Sequence, residues 1–229
     1  MEFDLTPYFG KYEQLSEQMD QVFERVRSQH PDCVTCKSEC SDCCHAVFDL
    51  TLIEALYINH RFNNRFSGEA RERIIEKANA ADRRVYKLKR KAAKDVQDGQ
   101  SEAAVLEALA VERVRCPLLN EKNLCDLYDH RPITCRLYGI PTAIGGKGRT
   151  CGLSGFQPGE PYPTVNLEEI QNRLFALSAA VVQDMKSKHI NMADILMPLS
   201  MALLTSMDDD FLGLSTAADG AAQKGDGNE

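Results

Sequence analysis

The sequence predicts a mainly α fold: a helical bundle closed over irregular, cysteine-rich metal-binding loops. Three observations predict it. Apolar residues recur at intervals of three and four along most of the chain, the spacing that places them on one face of an α-helix. No stretch carries a convincing two-residue strand alternation, and there is no internal repeat. The nine cysteines avoid the periodic segments: five lie within Cys33–Cys44, and the rest are Cys116, Cys125, Cys135 and Cys151.

The helices follow in order. Thr6-Pro7 reads as an N-cap with proline at the first helical position. Tyr12, Leu15, Met19, Val22 and Val26 then form one apolar stripe, ending near Gln29 before Pro31. Thr51-Leu-Ile-Glu54 has the form of a capping box, in which the threonine and glutamate side chains satisfy each other's backbone amides. The helix it opens carries Leu52, Ile53, Leu56 and Tyr57, and Ser67-Gly68 separates it from a long charged segment. There Ile74, Ala78, Ala81, Val85, Leu88 and Ala92 make a narrow heptad-like seam, suited to packing against one neighbour. Asp98-Gly99 breaks that helix. Ser101 caps another, with Val105, Leu106, Leu109 and Ala110 turned inward, running to Arg115-Cys116-Pro117 and leaving Cys116 at a helix end.

Residues 139–163 hold seven of the fourteen glycines and four of the nine prolines, which predicts a long irregular loop containing Cys151. Its Gly145-Gly-Lys-Gly-Arg-Thr150 run lacks phosphate-loop spacing and has no strand before it. Asn166 caps a helix carrying Leu167, Ile170, Leu174, Leu177, Val181 and Met185. Asn191–Asp194 starts a last one with Ile195, Leu196, Leu199 and Leu203, which Pro198 should kink or split. Residues 1–205 are expected to form one helical domain and 206–229 a largely disordered tail, since the chain there turns to Asp, Gly, Ala, Lys and Asn.

The cysteine run reads Cys33-x2-Cys36-x3-Cys40-x2-Cys43-Cys44. Disulfides need an oxidising compartment. The N-terminal residues have neither the basic start nor the apolar core of a signal peptide, and an odd count of nine leaves a thiol over, so a reducing cytoplasm is expected. Inert buried thiols pack as small hydrophobes, which does not explain five of them set among Lys, Ser, Glu and Asp. Metal does, because two thiolates two residues apart in a turn can reach one ion. Cys40, Cys43, Cys44, Cys116, Cys125 and Cys135 are the foremost candidate ligands, followed by Cys33, Cys36 and Cys151. All-sulfur ligation suits zinc or an iron–sulfur centre such as a 4Fe-4S cluster, and not magnesium or calcium. Adjacent Cys43 and Cys44 are expected to point apart, so that two four-thiolate sites would use eight cysteines and leave one spare. His45 could add a ligand, His130 reads as a surface residue, and His30, His60 and His189 show no ligand spacing.

Residues 116–136 read Cys-Pro-Leu-Leu-Asn-Glu-Lys-Asn-Leu-Cys-Asp-Leu-Tyr-Asp-His-Arg-Pro-Ile-Thr-Cys-Arg. A dense cluster ending in a cysteine pair, then Cys-Pro-x-Leu, then Cys-x-x-Tyr-x-x-Arg-Pro-x-x-Cys-Arg, resembles the YkgJ-like cysteine-cluster family. The resemblance rests on Cys33, Cys36, Cys40, Cys43, Cys44, Cys116, Cys125, Tyr128, Arg131, Pro132, Cys135 and Arg136, and covers about 33–56 and 116–151. It implies zinc or iron chelation. The family pattern is Cys-x2-Cys-x2-Cys-Cys, whereas here the cysteine before Cys40 lies one residue further back. Arg131 and Arg136 bracket Cys135 and could offset thiolate charge, or pair with Asp126 or Asp129. Tyr128 reads as packed with its hydroxyl bonded.

Charge narrows the partners. The net charge of −7 argues against attraction to nucleic acid or an anionic membrane, and no apolar run is long enough to span a bilayer. Seven cations at 83–94 (Arg83, Arg84, Lys87, Lys89, Arg90, Lys91 and Lys94) read as a solvated face. The alternative is a protein contact through the helix around 74–94, or an RNA or protein adaptor. A similar cysteine arrangement in the flagellin lysine methylase family makes an iron–sulfur redox or methyl-transfer-related enzyme a further alternative, although no Gly-rich fingerprint for S-adenosylmethionine is present.

Overall fold

The segment Leu-Ile-Glu-Ala-Leu-Tyr-Ile-Asn is apolar on every side, and a helix with no polar face has to be surrounded. The structure, a computed structural model describing residues 3–214, places it at the centre. This helix, α2 (Leu52–Arg65), buries every residue from Leu52 to Asn59, and Phe62. Helix α1 (Thr6–Gln29) lies against it through Tyr8, Phe9, Tyr12, Leu15 and Met19. Thr6 is the first helical residue rather than the cap, and the Asp4 carboxylate accepts its amide at 2.9 Å.

On the other side of α2 runs α3 (Gly68–Gln97), buried through Ile74, Ala78, Ala81 and Val85 as the heptad-like seam predicts. Helix α4 (Glu102–Ala110) is shorter than expected and buries only Val105, while Leu106 is exposed. Its main contacts are with α3 across the turn that joins them. Cys116 therefore follows extended backbone, not a helix end.

Helix α5 (Ile133–Leu137) packs on α1. Helix α6 (Leu167–Asp184) begins where expected, with Asn166 Oδ1 accepting the Glu168 and Glu169 amides. The last helix is split at Pro198. Residues Ile190–Asp194 form a 3-10 turn, Leu196–Pro198 a strand, and α7 is Leu199–Leu204.

The fold is mainly α as expected, with a few short strands that the sequence does not signal. Strand β1 (Asp49–Thr51) pairs antiparallel with Leu196–Pro198 (β5), with Leu50 opposite Met197. Within the glycine-rich segment, β2 (Thr142–Ile144) and β3 (Lys147–Arg149) form a hairpin, and β2 also pairs parallel with β4 (Val165–Asn166). Gly145 and Gly146 both have positive φ, 58° and 72°. Two successive positive φ angles define the hairpin turn that fits strand twist, and glycine adopts them without a Cβ penalty. Of the tail expected from residue 206, the described part to 214 places Leu212 in the core beside Met207 and Phe211. The remainder lies outside the described residues.

Glu54 ties this frame to the cysteine-bearing loops. The capping box is present as read, with Glu54 Oε2 accepting from the Thr51 amide and hydroxyl. Its second oxygen accepts the Ile133 amide at 3.2 Å, which fixes the start of α5 two residues before Cys135. Burial raises the Glu54 carboxyl above its usual 4.5, against those three hydrogen bonds. The folded chain thus holds this proton more tightly than the unfolded chain. Its contribution to stability is full below about 4.5 and declines as pH rises through the raised folded value. Glu54→Gln should lose about 1–3 kcal/mol at low pH, since one amide oxygen cannot serve donors on both sides. The gap to the parent should narrow as pH rises, in urea melts repeated from pH 4 upward. A gap that stays constant would assign Glu54 no linkage.

Candidate metal centre

Backbone pairing, not side-chain packing, brings the two cysteine segments together. Asp42–His45 forms a 3-10 turn that carries Cys43 and Cys44. The chain then meets residues 113–116 in an antiparallel bridge, Ala46 opposite Arg113. The Val114 amide donates to His45 O at 2.9 Å and the Cys116 amide to Cys44 O at 2.7 Å. A tight loop, with Leu119 bridged to Cys125, returns the chain beside Cys116, and α5 supplies Cys135. Cys151 arrives on the loop after the hairpin. That loop is tied to the first segment by Gly155 N donating to Cys33 O at 2.8 Å and the Thr35 hydroxyl to Leu153 O at 2.8 Å.

The result is one cavity of about 660 Å³ lined by eight cysteines: Cys36, Cys40, Cys43, Cys44, Cys116, Cys125, Cys135 and Cys151. Cys33 does not line it and packs against the main apolar core. All nine are free thiols. Among the described residues, no three Cys, His, Asp or Glu side chains are already gathered as the ligands of one ion.

Burial opposes the thiolate form at most of these sulfurs, and backbone amides aimed at three of them favour it. Burial pushes the Cys116 thiol up to about 12, and the Leu118 and Leu119 amides pull back by donating to it. Cys125 is raised by burial and opposed by the Leu127 amide. Cys151 is raised by burial and opposed by the Leu153 amide, whose nitrogen lies 3.4 Å from the sulfur. Each of the three sulfurs thus receives the amide two residues further on. Such N–H donors favour an anionic sulfur and hold it in a fixed direction. Burial pushes Cys135 well above its ordinary value, Cys43, Cys116 and Cys125 add to this, and Arg131 opposes it. Cys43 goes the other way, brought down to about 7 by the hydrogen bond from Cys44 and, more weakly, by Arg131. Adjacent Cys43 and Cys44 therefore lie side by side, contrary to the expectation that they diverge; both sit on one tight turn.

Arg131 is the cation nearest these sulfurs. It stacks over the Tyr128 ring at 4.0 Å and reaches Asp20 at 3.6 Å. Its Nε is buried without a hydrogen-bond partner. Arg136, 7% exposed, is wholly engaged. It pairs with Asp20 of α1, and donates to Arg131 O at 3.0 Å and Asp129 O at 2.7 Å. Neither Asp126 nor Asp129 offers it a carboxylate partner. Arg136 thus shapes the turn that presents Arg131. Tyr128 is 59% exposed, not packed, and its ring caps Arg131 from outside.

The histidines are elsewhere. His45 meets Ser41 O through Nδ1 at 3.0 Å and does not line the cavity. His130 is not a surface residue: it is half-buried and bonded through Nδ1 to the Tyr57 hydroxyl at 2.9 Å. Arg83, Arg84, Lys87, Arg90, Lys91 and Lys94 are exposed along α3, whereas Lys89 pairs with Asp49 at 2.7 Å. Ala81 and Val85, on the opposite face of that helix, line the cavity. No helix among the described residues is long and apolar enough to cross a membrane.

Three contributors carry no spacing signal in the sequence. Arg113 donates to Asp42 O at 2.9 Å and to the Tyr138 hydroxyl at 3.2 Å, and pairs with the Asp42 carboxylate. Asp42 lines the cavity beside Cys151. Gly139 lets Cys36 in: a Cβ there would stand 2.2 Å from Cys36 Sγ and 3.2 Å from Phe23. Gly139→Ala should turn the Cys36 sulfur away from the chamber. The expected cost is about 1–3 kcal/mol of stability and about tenfold in metal affinity, read by thermal melts and competition with a chromophoric chelator. Unchanged values in both would show that the wall has room to give.

The extra residue between Cys36 and Cys40 is absorbed in a turn, with Glu39 at φ 69°. Comparison with known proteins gives one match. A family model, CxxCxxCC, described as a "putative zinc- or iron-chelating domain", matches residues 35–152, more than half of the chain. That span starts after Cys33 and contains all eight cysteines of the cavity. No curated protein and no solved structure matches the chain. The chain belongs to the CxxCxxCC zinc- or iron-chelating family.

Proposed function

We propose that the chain holds zinc or an iron–sulfur centre through clustered cysteine thiolates around this chamber. On one side Cys43, Cys44, Cys116, Cys125 and Cys135 supply sulfur; on the other, Cys36, Cys40 and Cys151 do. Arg131 offsets their negative charge with its unpartnered Nε–H available to a sulfur, and Arg136 holds Arg131 in place. The observation that carries this reading is the set of amides aimed at Cys116, Cys125 and Cys151. A neutral thiol gains little from such a donor, whereas a metal-bound thiolate gains a charge-assisted hydrogen bond.

The soft donor set excludes a calcium or magnesium role. Zinc and iron–sulfur differ in what the isolated protein would show. Anaerobic purification followed by metal and sulfide analysis and a visible spectrum tests the proposal. Colourless protein with bound zinc identifies a zinc centre. Iron with matching sulfide and a visible charge-transfer band identifies an iron–sulfur centre. Protein that carries neither, and takes up neither on reconstitution, would refute the reading.

A further inference from the structure

Five of the chamber's sulfurs, Cys43, Cys44, Cys116, Cys125 and Cys135, stand together. The remaining three, Cys36, Cys40 and Cys151, make a second group. All three line the chamber together with Asp42, with Cys40 facing both Cys36 and Cys151. Three sulfurs leave a tetrahedral ion one ligand short. The side chain that meets this group is Asp42. One of its oxygens, Oδ1, is held by the Arg113 guanidinium, which Tyr138 also contacts. The other, Oδ2, lies 3.6 Å from Cys151 Sγ.

That separation is informative. An ion with ~2.3 Å bonds to sulfur and ~2.1 Å bonds to oxygen at the tetrahedral angle sets sulfur and oxygen ~3.6 Å apart. The Cys151 thiol now donates to Asp42 Oδ2 at that same separation, so an ion that displaced the thiol proton would find sulfur and oxygen at two of its corners. A carboxylate with one oxygen anchored by an arginine presents the other as a monodentate ligand of fixed direction. We propose that Asp42 is a metal ligand, completing with Cys36, Cys40 and Cys151 a second site of three sulfurs and one oxygen, distinct from the all-sulfur site on the Cys116 side. Such a site takes a borderline divalent ion, zinc foremost. The proposal rests on the thiolate reading above and goes beyond it in naming a non-cysteine ligand and a division into two sites.

Titration of the full-length chain with Co²⁺, which reports its ligands through sulfur-to-cobalt charge transfer and d–d bands, tests it. The parent chain should take two ions. Asp42→Ala should take one and keep the spectrum of the all-sulfur site. Asp42→Cys should keep two and gain charge-transfer intensity at the second. Arg113→Met removes the anchor and leaves the carboxylate, so it should still take two ions, with the second bound about 10–100-fold more weakly. Two ions in Asp42→Ala with the parent spectrum would overturn the proposal. So would complete loss of the second ion in Arg113→Met together with failure of Asp42→Cys to restore it, since Asp42 would then be only an anchor for Arg113. A parent chain that binds a single all-sulfur ion overturns this inference and leaves the thiolate reading standing; one that binds none overturns both.

Discussion

Cys135→Ser should lower metal affinity more than ~100-fold, because removing a direct ligand exceeds the 10–100-fold typical of losing a group behind one. Cys135 is half-buried in the chamber wall, where its neighbours Cys43, Cys116 and Cys125 come from two further segments. A serine oxygen there is harder and shorter than the sulfur it replaces. The helical frame should survive. The core joining α1, α2 and α6 and that joining α2, α3 and α7 are assembled mainly from Leu, Ile, Phe, Tyr and Met side chains, with Cys33, Cys36, Cys116 and Cys125 only at their margins and Cys135 in neither. Far-ultraviolet circular dichroism should therefore change little, while amide exchange and protease cleavage rise in 36–46 and 116–136. Chelation of the parent chain should give the same pattern. Cys33→Ser, outside the chamber, should bind metal as the parent does. Equal affinity in Cys135→Ser and the parent would remove the α5 cysteine from the centre.

Loading should also release protons. At pH 7 thiols raised above 9 are protonated, and Cys43, lowered by the hydrogen bond from Cys44, is the most readily ionised of the set. An ion taking Cys43 and three such thiols should liberate about three to four protons. Affinity should thus climb with pH across the neutral range, seen as buffer-dependent heats in calorimetry. Heats independent of buffer would mean that the ligands are not these thiols.

What is legible in the sequence is whatever depends on local periodicity. Helices α1 and α6 show their buried stripes at three and four residues, and the α3 seam is visible because only one narrow face is covered, Ile74 and Ala78 by α2 and α7 and Ala81 and Val85 by Val114. Strands β1 and β5 are three residues each, too short to show alternation, and each exists only because the other is present. The Gly145-Gly146 pair carries a hairpin signal, although its flanks, Thr-Ala-Ile and Lys-Gly-Arg, are too polar to read as strands. At the candidate site, cysteine spacing marks the donors but not their grouping. The bridge between 44–46 and 113–116 decides the grouping, and backbone pairing across so long a separation leaves no trace in side-chain pattern. Asp42 and Arg113 are missed for the same reason: a single acid and a single base far apart in the chain look like surface charges until they meet.

Arg136→Met should cost about 3 kcal/mol and weaken metal binding about 10–100-fold together. Methionine keeps the stem's packing and removes the guanidinium. The carbonyls of Arg131 and Asp129 then lose their donors in a part-buried turn, and an unsatisfied group costs about 1–3 kcal/mol where water cannot replace the donor. Asp20 loses its principal partner but is 40% exposed, so its share of the penalty is smaller. Arg131 already reaches Asp20 at 3.6 Å. Freed of competition, it should turn toward that carboxylate and withdraw its charge from Cys43, Cys125 and Cys135, which is why the two losses are coupled. Against a total of about 5–15 kcal/mol the stability loss is large. It should appear as a lower urea midpoint at unchanged slope. Arg136→Lys restores the charge beside Asp20 but not the planar fork that serves two carbonyls at once, so it should recover part of the stability. Full metal affinity in Arg136→Met despite the lower midpoint would mean that Arg131 holds its position unaided.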